Sequence, residues 1–343
     1  MTRRAEGPGV PPAAAAVRAS RGPKASVDPT LPAGIEDETE VAAPGVSVRS
    51  RVVFLVGAEC PFTCAMCDLW RHTLDGPTPP GALPAQLRAA LSLPARSGGP
   101  PTWVKLYNAS NFTDPRAVPP DDLPEIAALV ADFERVVVET HPSLVDGSLP
   151  RFAAGLGGRL EVAMGLETAD PDRLRRLGKG MTRDDFASAA ARLVAQGIDV
   201  RAFVLVGLPD CDDAAALDLT LDAVRFAAAA GARHVSLIPT RPGNGHLDRL
   251  AAAGRFRPVA AATAEAALER ALAASPRSLV TLDLWDWPRL AGQCDACRAP
   301  RAARIAAMNL AQRPLDRPAV ACGCATAVPS RAPAPLSGVS PCP

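Results

Sequence analysis

The sequence predicts an α/β protein in which a parallel sheet curves into a closed or partial barrel, followed by a cysteine-rich extension. Three observations lead there. Strand-like and helix-like runs alternate from residue 47 to residue 285. Six successive βα units place their strands parallel with helices outside, and right-handed crossovers curve such a sheet. Seven of the nine cysteines fall at 60–67 and 294–324, one group directly after the first strand and the other beyond the last.

The elements follow in order. "SVRSRVVFLV" (47–56) is a strand, and "ALPAQLRAALSL" (82–93) a helix with apolar residues three and four apart. "TWVKLY" (102–107) is a strand, and "PDDLPEIAALVADF" (120–133) a helix with acids near its start. "RVVVET" (135–140) leads to a short helix around "PRFAAGL" (150–156), and "LEVAMGLE" (160–167) to helices at "DPDRLRRLG" and "TRDDFASAAARLVAQG". "DVRAFVLVG" (199–207) precedes a helix at 213–231, and "RHVSLIP" (233–239) one at 261–275; "SLVTLDLW" (278–285) is a candidate further strand. Residues 1–45 and 328–343 are rich in Ala and Pro without an apolar period and are expected to be disordered tails. The barrel then spans 46–290 and a metal-binding extension 291–327.

Charge excludes little and favours nothing. The 37 basic and 36 acidic residues nearly cancel, which removes any strong electrostatic case for a nucleic-acid or membrane surface. Three of the 37 basic residues are lysine, leaving 34 arginines, a bias that fits a GC-rich genome better than phosphate binding. No run of about 18 apolar residues is present, so no membrane span is expected. The N-terminus lacks the apolar region of a signal peptide. Clustered cysteines fit metal ligation in a reducing compartment, and the expected location is cytoplasmic.

The chemistry starts at "VGAECPFTCAMCDLWR" (56–71). In a parallel barrel the reactive groups gather at the carboxyl ends of the strands, and this loop lies there. So do Asn108, Ser110 and Asn111 after the second predicted strand, Glu139, Thr140 and His141 after the third, Glu167 and Thr168 at the fourth, and Thr240, Arg241 and Asn244 after the sixth. A [4Fe–4S] cluster takes one thiolate per iron. Cys60, Cys64 and Cys67 can therefore hold three irons and leave the fourth open to a small chelating molecule. A zinc ion on the same thiolates needs a fourth ligand such as His72; cysteines without metal are the plain alternative. His141, Arg241 and Asn244 are candidates for substrate contact, set against ordinary loop roles. His234 reads as structural, and Cys211 as a lone thiol.

The pattern Cys-x3-Cys-x2-Cys after the first strand resembles that of the radical SAM superfamily. The resemblance implies a partial (β/α)6 TIM-type barrel, with Cys60, Cys64 and Cys67 on a [4Fe–4S] cluster whose open iron chelates S-adenosylmethionine. One-electron reduction then yields a 5′-deoxyadenosyl radical that abstracts hydrogen from a substrate. "YNASNF" departs from the family's Gly-Gly-Glu-like motif, placing Asn108, Ser110 and Asn111 near the methionine end. "GLET" resembles the strand motif of the branch containing the Elongator catalytic subunit, so Glu167 would accept from the ribose hydroxyls. In "VLVGLPD" the backbone around Gly207 would lie near adenine. Met66, where an aromatic residue is common, would pack on it. "CPFTCAMCDLWR", "KLYNASNFTDPRAVP", "EVAMGLET" and "SLIPTRPGNG" further resemble the radical SAM subunit of archaeosine synthase and its bacterial relatives. That implies a lysine-modified 7-deazaguanine in tRNA as substrate, a flavodoxin or ferredoxin as reductant, and a partner subunit that prepares the substrate. A small metabolite or natural-product intermediate is the alternative. An electron-transfer or sensing protein, and a zinc-stabilised nucleic-acid binder, are the alternatives from other classes.

The second group is "CDAC" (Cys294, Cys297) and "CGC" (Cys322, Cys324), separated by a helical stretch. Two thiolate pairs suit a tetrahedral zinc site and equally an auxiliary [4Fe–4S] cluster.

Overall fold

The computed structural model describes residues 14–96, 99–274 and 277–324. The chain enters through one helical turn, α1 (Ala14–Arg18), and then forms a hairpin of β1 (Gly34–Ala43) and β2 (Val46–Phe54). Next come α2 (Ala82–Leu91), β3 (Trp103–Tyr107), α3 (Leu123–Leu129), β4 (Arg135–Glu139), α4 (Ser148–Ala154) and β5 (Arg159–Glu167). These are followed by α5 (Pro171–Arg176), α6 (Arg183–Ala195), β6 (Asp199–Val206), α7 (Asp213–Ala229), β7 (His234–Pro239) and α8 (His246–Ala252). The last elements are α9 (Ala261–Ala274), β8 (Leu279–Leu282) and α10 (Asp295–Ala311).

The eight strands form one nearly closed sheet in chain order, with β1 antiparallel to β2 and all later neighbours parallel. All six expected βα units are present, and β8 extends them. Local signals explain the helix starts: Thr182 and Asp185 form a reciprocal capping box on α6, and Asp212 caps α7 through Ala215 N. Alternate strand residues such as Val104, Val136, Val138, Val162, Val200 and Val204 are buried in the core.

One expectation is overturned. Residues 14–45 are not a disordered tail: they contain α1 and β1, which pairs with β2 over its whole length. The reason lies in the barrel lumen. Glu40 of β1 is buried and pairs with Lys105 of β3 and with Arg201 of β6, the latter at 3.4 Å. Arg201 also meets Glu161 of β5 at 2.6 Å, and Arg135 of β4 meets Glu161 at 2.9 Å and Asp199 at 2.6 Å. His234, which burial holds down at about 3, is neutral there and bonds Thr281 Oγ1 at 2.8 Å. The lumen is thus plugged by a largely buried charge network, and β1 supplies an acid that the cations require. Residues 1–13 and the expected tail at 328–343, with Cys342, lie outside the described residues.

The gap between the sheet edges is bridged by α10, which packs on β1, β2 and β8. The Asn309 side chain bonds Leu282 N and O at 2.9 and 3.0 Å, and Gln312 bonds Val280 N and O at 2.8 and 2.9 Å. Side-chain amides therefore satisfy the exposed backbone of the β8 edge. On the other side, Gly45 N in the β1–β2 turn donates to Leu310 O at 2.8 Å. Among the described residues no helix is long and apolar enough to cross a membrane.

Candidate active site at the barrel mouth

The loop carrying Cys60, Cys64 and Cys67 leaves the carboxyl end of β2 and is braced from every side. Ala65 N donates to Leu177 O at 2.7 Å. The Asn244 amide donates to Ala65 O at 2.6 Å and accepts from Leu247 N. Arg241 joins Asp68 at 3.2 Å to Asp286 at 2.8 Å, and Arg71 donates to Gly243 O. Glu59 pairs with Arg21 at 2.7 Å and Lys24 at 3.0 Å, so the N-terminal segment also clasps the loop.

The expected substrate contacts thus have other duties. Arg241 and Asn244 tie the loop after β7 to the cysteine loop. His141 is buried and stacks on Phe62 with ring centroids 3.8 Å apart. Its Nε2 donates to Lys179 O at 2.9 Å, which leaves Nδ1 to accept from Ser143. Burial lowers it to about 4, so it is neutral at physiological pH. His72 is exposed. Cys211 Sγ closes a turn onto Leu208 N and O.

The thiols are sheltered. Burial pushes Cys64 up to about 11 and Cys67 up to about 12, and raises Cys60. They are therefore protonated at neutral pH unless a metal centre takes the protons' place. Asn111 donates from Nδ2 to Cys60 Sγ at 3.3 Å while its Oδ1 accepts from His141 N. Among the described residues, the group arranged around a single ion position is the C-terminal one.

Glu167 occupies the end of β5, where the register with β6 shifts between Gly165 and Glu167. It has φ +65°, an uncommon value for a side-chain-bearing residue. Bulges of this kind re-aim a side chain beside a functional site. The carboxylate meets Lys179 Nζ at 2.7 Å. Burial alone would lower Lys179, but this carboxylate holds it above its ordinary value. A Cβ on Gly165 would lie 2.1 Å from Glu167 Oε1 and 2.4 Å from Lys179 Nζ, so only glycine leaves space for the pair. Lys179, in "LGKGMT", was missed in the sequence because a lysine between two loop glycines gives no sign of its buried partner.

Around this pair the mouth carries unspent polar capacity. Asn108 Nδ2, Ser110 Oγ and Thr240 Oγ1 are buried without a hydrogen-bond partner, a state that buried groups avoid unless a ligand meets them. Met66 packs with Leu177, Leu205 and Leu208 into a small apolar wall. Gly207, at φ +85°, sits so close to Val259 that a Cβ would come within 2.4 Å of Cγ1. Deeper in, the Glu139 side chain has no hydrogen bond or ion pair among the described residues, and burial pushes it up to about 7. It adjoins Tyr107, one step beyond the Leu106–Val138 register pair. Three sheltered thiols on one loop, orphaned donors and acceptors, and the glycine-made cradle at Glu167 fit a cluster with an adenosyl ligand.

No family model matches this chain, and no curated protein matches it in sequence. Solved structures match it in shape. Streptococcus suis SuiB bound to precursor peptide SuiA aligns with a TM-score of 0.50 at 14% identity, over 73% of this chain and 55% of that one. A radical SAM methyltransferase from Sphaerobacter thermophilus gives 0.45 at 16% identity over 69% of each chain. Methanocaldococcus infernus Elp3 gives 0.45 at 14% identity over 58% of this chain and 51% of that one. The chain spans about half the length of SuiB and Elp3. Identities this low speak to the fold alone: the chain shares a partial-barrel fold with SuiB.

Proposed function

We propose that this chain is a radical SAM enzyme. The observation that carries the reading is the placement of Cys60, Cys64 and Cys67, on one braced loop at the barrel mouth, opposite Glu167 and the unpartnered Asn108 Nδ2 and Ser110 Oγ. A [4Fe–4S] cluster on those cysteines, with S-adenosylmethionine, supplies reductive cleavage of the sulfonium and a 5′-deoxyadenosyl radical. The protein's own part is to hold and shield. Glu167, fixed by Lys179, accepts from the ribose hydroxyls. Asn108 and Ser110 spend their free polar atoms on the methionine end, while Asn111 stays on Cys60. Met66, with Leu177, Leu205 and Leu208, faces the adenine beside the Gly207 backbone and keeps water away. Glu139, unpartnered in the lumen, faces the substrate.

The substrate we propose is a lysine-modified 7-deazaguanine of tRNA, on the strength of the motif resemblance, with a partner subunit preparing it and a flavodoxin or ferredoxin as reductant in the cytoplasm. The net charge of +1 favours a second reading, a small metabolite or natural-product intermediate, because tRNA binding draws on many phosphate contacts.

The test is anaerobic. The reconstituted protein is reduced with dithionite, given S-adenosylmethionine and assayed for 5′-deoxyadenosine by mass spectrometry. Its formation, lost in Cys64→Ala, supports the enzyme. A fully loaded, reduced sample that neither binds nor cleaves S-adenosylmethionine points to electron transfer or sensing instead. Stimulation by modified tRNA, and not by small amines or peptides, separates the two substrate readings.

A further inference from the structure

The cysteines beyond the barrel form a site of a different kind. Cys294 caps the start of α10, Cys297 lies in its first turn, and Cys322 and Cys324 return to them on the segment after the helix. All four sulfurs lie within 4.8 Å of one another, and those of Cys294 and Cys297 are 3.8 Å apart. The spacing separates the metals. Four thiolates at about 2.3 Å from one tetrahedral zinc stand about 3.8 Å apart. In a [4Fe–4S] cube each thiolate has its own iron, which spreads the sulfurs to about 6 Å. A disulfide needs sulfurs at about 2 Å, and all four cysteines are free.

The surroundings agree. Arg301 follows Cys297 by one turn of α10, which brings a cation to the end of the helix where four thiolates would outweigh a divalent ion. Arg301 is itself held by Glu265 of α9 at 2.7 Å. The returning segment has little else to hold it. Among the described residues, 318–324 make one backbone hydrogen bond, Cys322 N to Val320 O at 3.0 Å.

We propose that Cys294, Cys297, Cys322 and Cys324 bind one zinc ion that staples this segment to the base of the helix closing the barrel seam. Four thiolates fill the coordination sphere and leave no open position, so the ion is structural. The same helix fastens β8 through Asn309 and Gln312 and the β1–β2 turn through Leu310, so the knot secures the closure. The site is independent of the chemistry at the mouth.

The test uses the full chain. Iron, sulfide and zinc are measured in the wild type and in the triple variant Cys60→Ala/Cys64→Ala/Cys67→Ala. The expected result is about one zinc per chain in both, with iron lost from the triple variant. Adding Cys297→Ala then lowers zinc about tenfold or more and speeds thermolysin cleavage before Val320, in the returning segment. Should that variant not fold, Cys324→Ala and cobalt replacement in the wild type give independent readouts, the latter through the visible bands of a tetrahedral tetrathiolate site. About four irons retained by the triple variant would overturn the proposal in favour of an auxiliary cluster. All four thiols open to rapid alkylation in metal-replete protein would overturn it in favour of no site.

Discussion

The two cysteine sets are held in opposite ways. At the mouth, three thiols share one loop, and the protein braces that loop without metal through Asn244, Arg241, Leu177 and the Phe62–His141 stack. At the base of α10, four thiols come from two segments, and one segment has almost nothing but its sulfurs to hold it. A preformed site spends folding energy on positioning and keeps a corner free for chemistry. A site that joins two segments couples metal binding to folding. The first arrangement suits a reactive centre and the second a staple.

The comparison breaks most sharply at Cys64. Cys64→Ala should remove iron and reduce 5′-deoxyadenosine by at least about 100-fold while zinc stays unchanged; parallel metal analysis and mass spectrometry read both. Loss of zinc as well would mean that the two sites are one system.

Next in size is the lumen frame that supports the mouth. Glu161→Ala leaves Arg135 and Arg201 buried without their shared acid. Urea unfolding should show a loss of about 3–5 kcal/mol. A loss below about 1 kcal/mol would show that the network does not carry the barrel.

Gly165→Ala tests positioning without touching a ligand. The added methyl collides with both Glu167 and Lys179. Affinity for S-adenosylmethionine should fall about tenfold or more, the equivalent of about 1.4 kcal/mol, with full iron content retained. Calorimetric titration checks the first and iron analysis the second.

A smaller effect follows from Glu139, raised to about 7 from its ordinary 4.5 by burial. Between those values the folded protein holds a proton that the unfolded chain has lost. Stability therefore falls as pH rises through that window. Glu139→Gln should flatten the pH dependence by about 1–2 kcal/mol between pH 5 and 8, measured by denaturant titration. Unchanged dependence would place the carboxylate in water.

At the bottom of the scale, Cys211→Ala removes a thiol that closes a local turn and packs at the edge of the core. It should alter neither metal content nor activity and should cost no more than about 1 kcal/mol of stability. A change in iron would make it a fourth ligand.

Much of the barrel was legible because its strands bury helix-facing valines and its helices repeat every three to four residues, and both patterns survive in a one-dimensional string. The missed strand, β1, reads "GIEDETEVAA". Closely spaced acids look like a solvated tail unless Lys105 and Arg201 are known to wait inside the lumen. The mouth shows the same divide. Cysteine spacing marked the three-cysteine loop, and strand ends marked Asn108, Asn111 and Glu167. Asn244 and Arg241 spend their polar atoms on the cysteine loop and Asp286, and His141 spends its ring nitrogens on Lys179 O and Ser143. Polarity at a strand end does not say which way a side chain turns.

The sequence by itself determined the order of the βα units, the cysteine spacing and the two-pair pattern near the C-terminus, because each depends on residues close in the chain. Tertiary structure decided the rest. It chose the lumen partners of Glu40, the pairing of Glu167 with Lys179 across a glycine-made space, and the convergence of four sulfurs to the spacing of a single ion. Each is a distance between segments far apart in sequence, and only packing sets such distances.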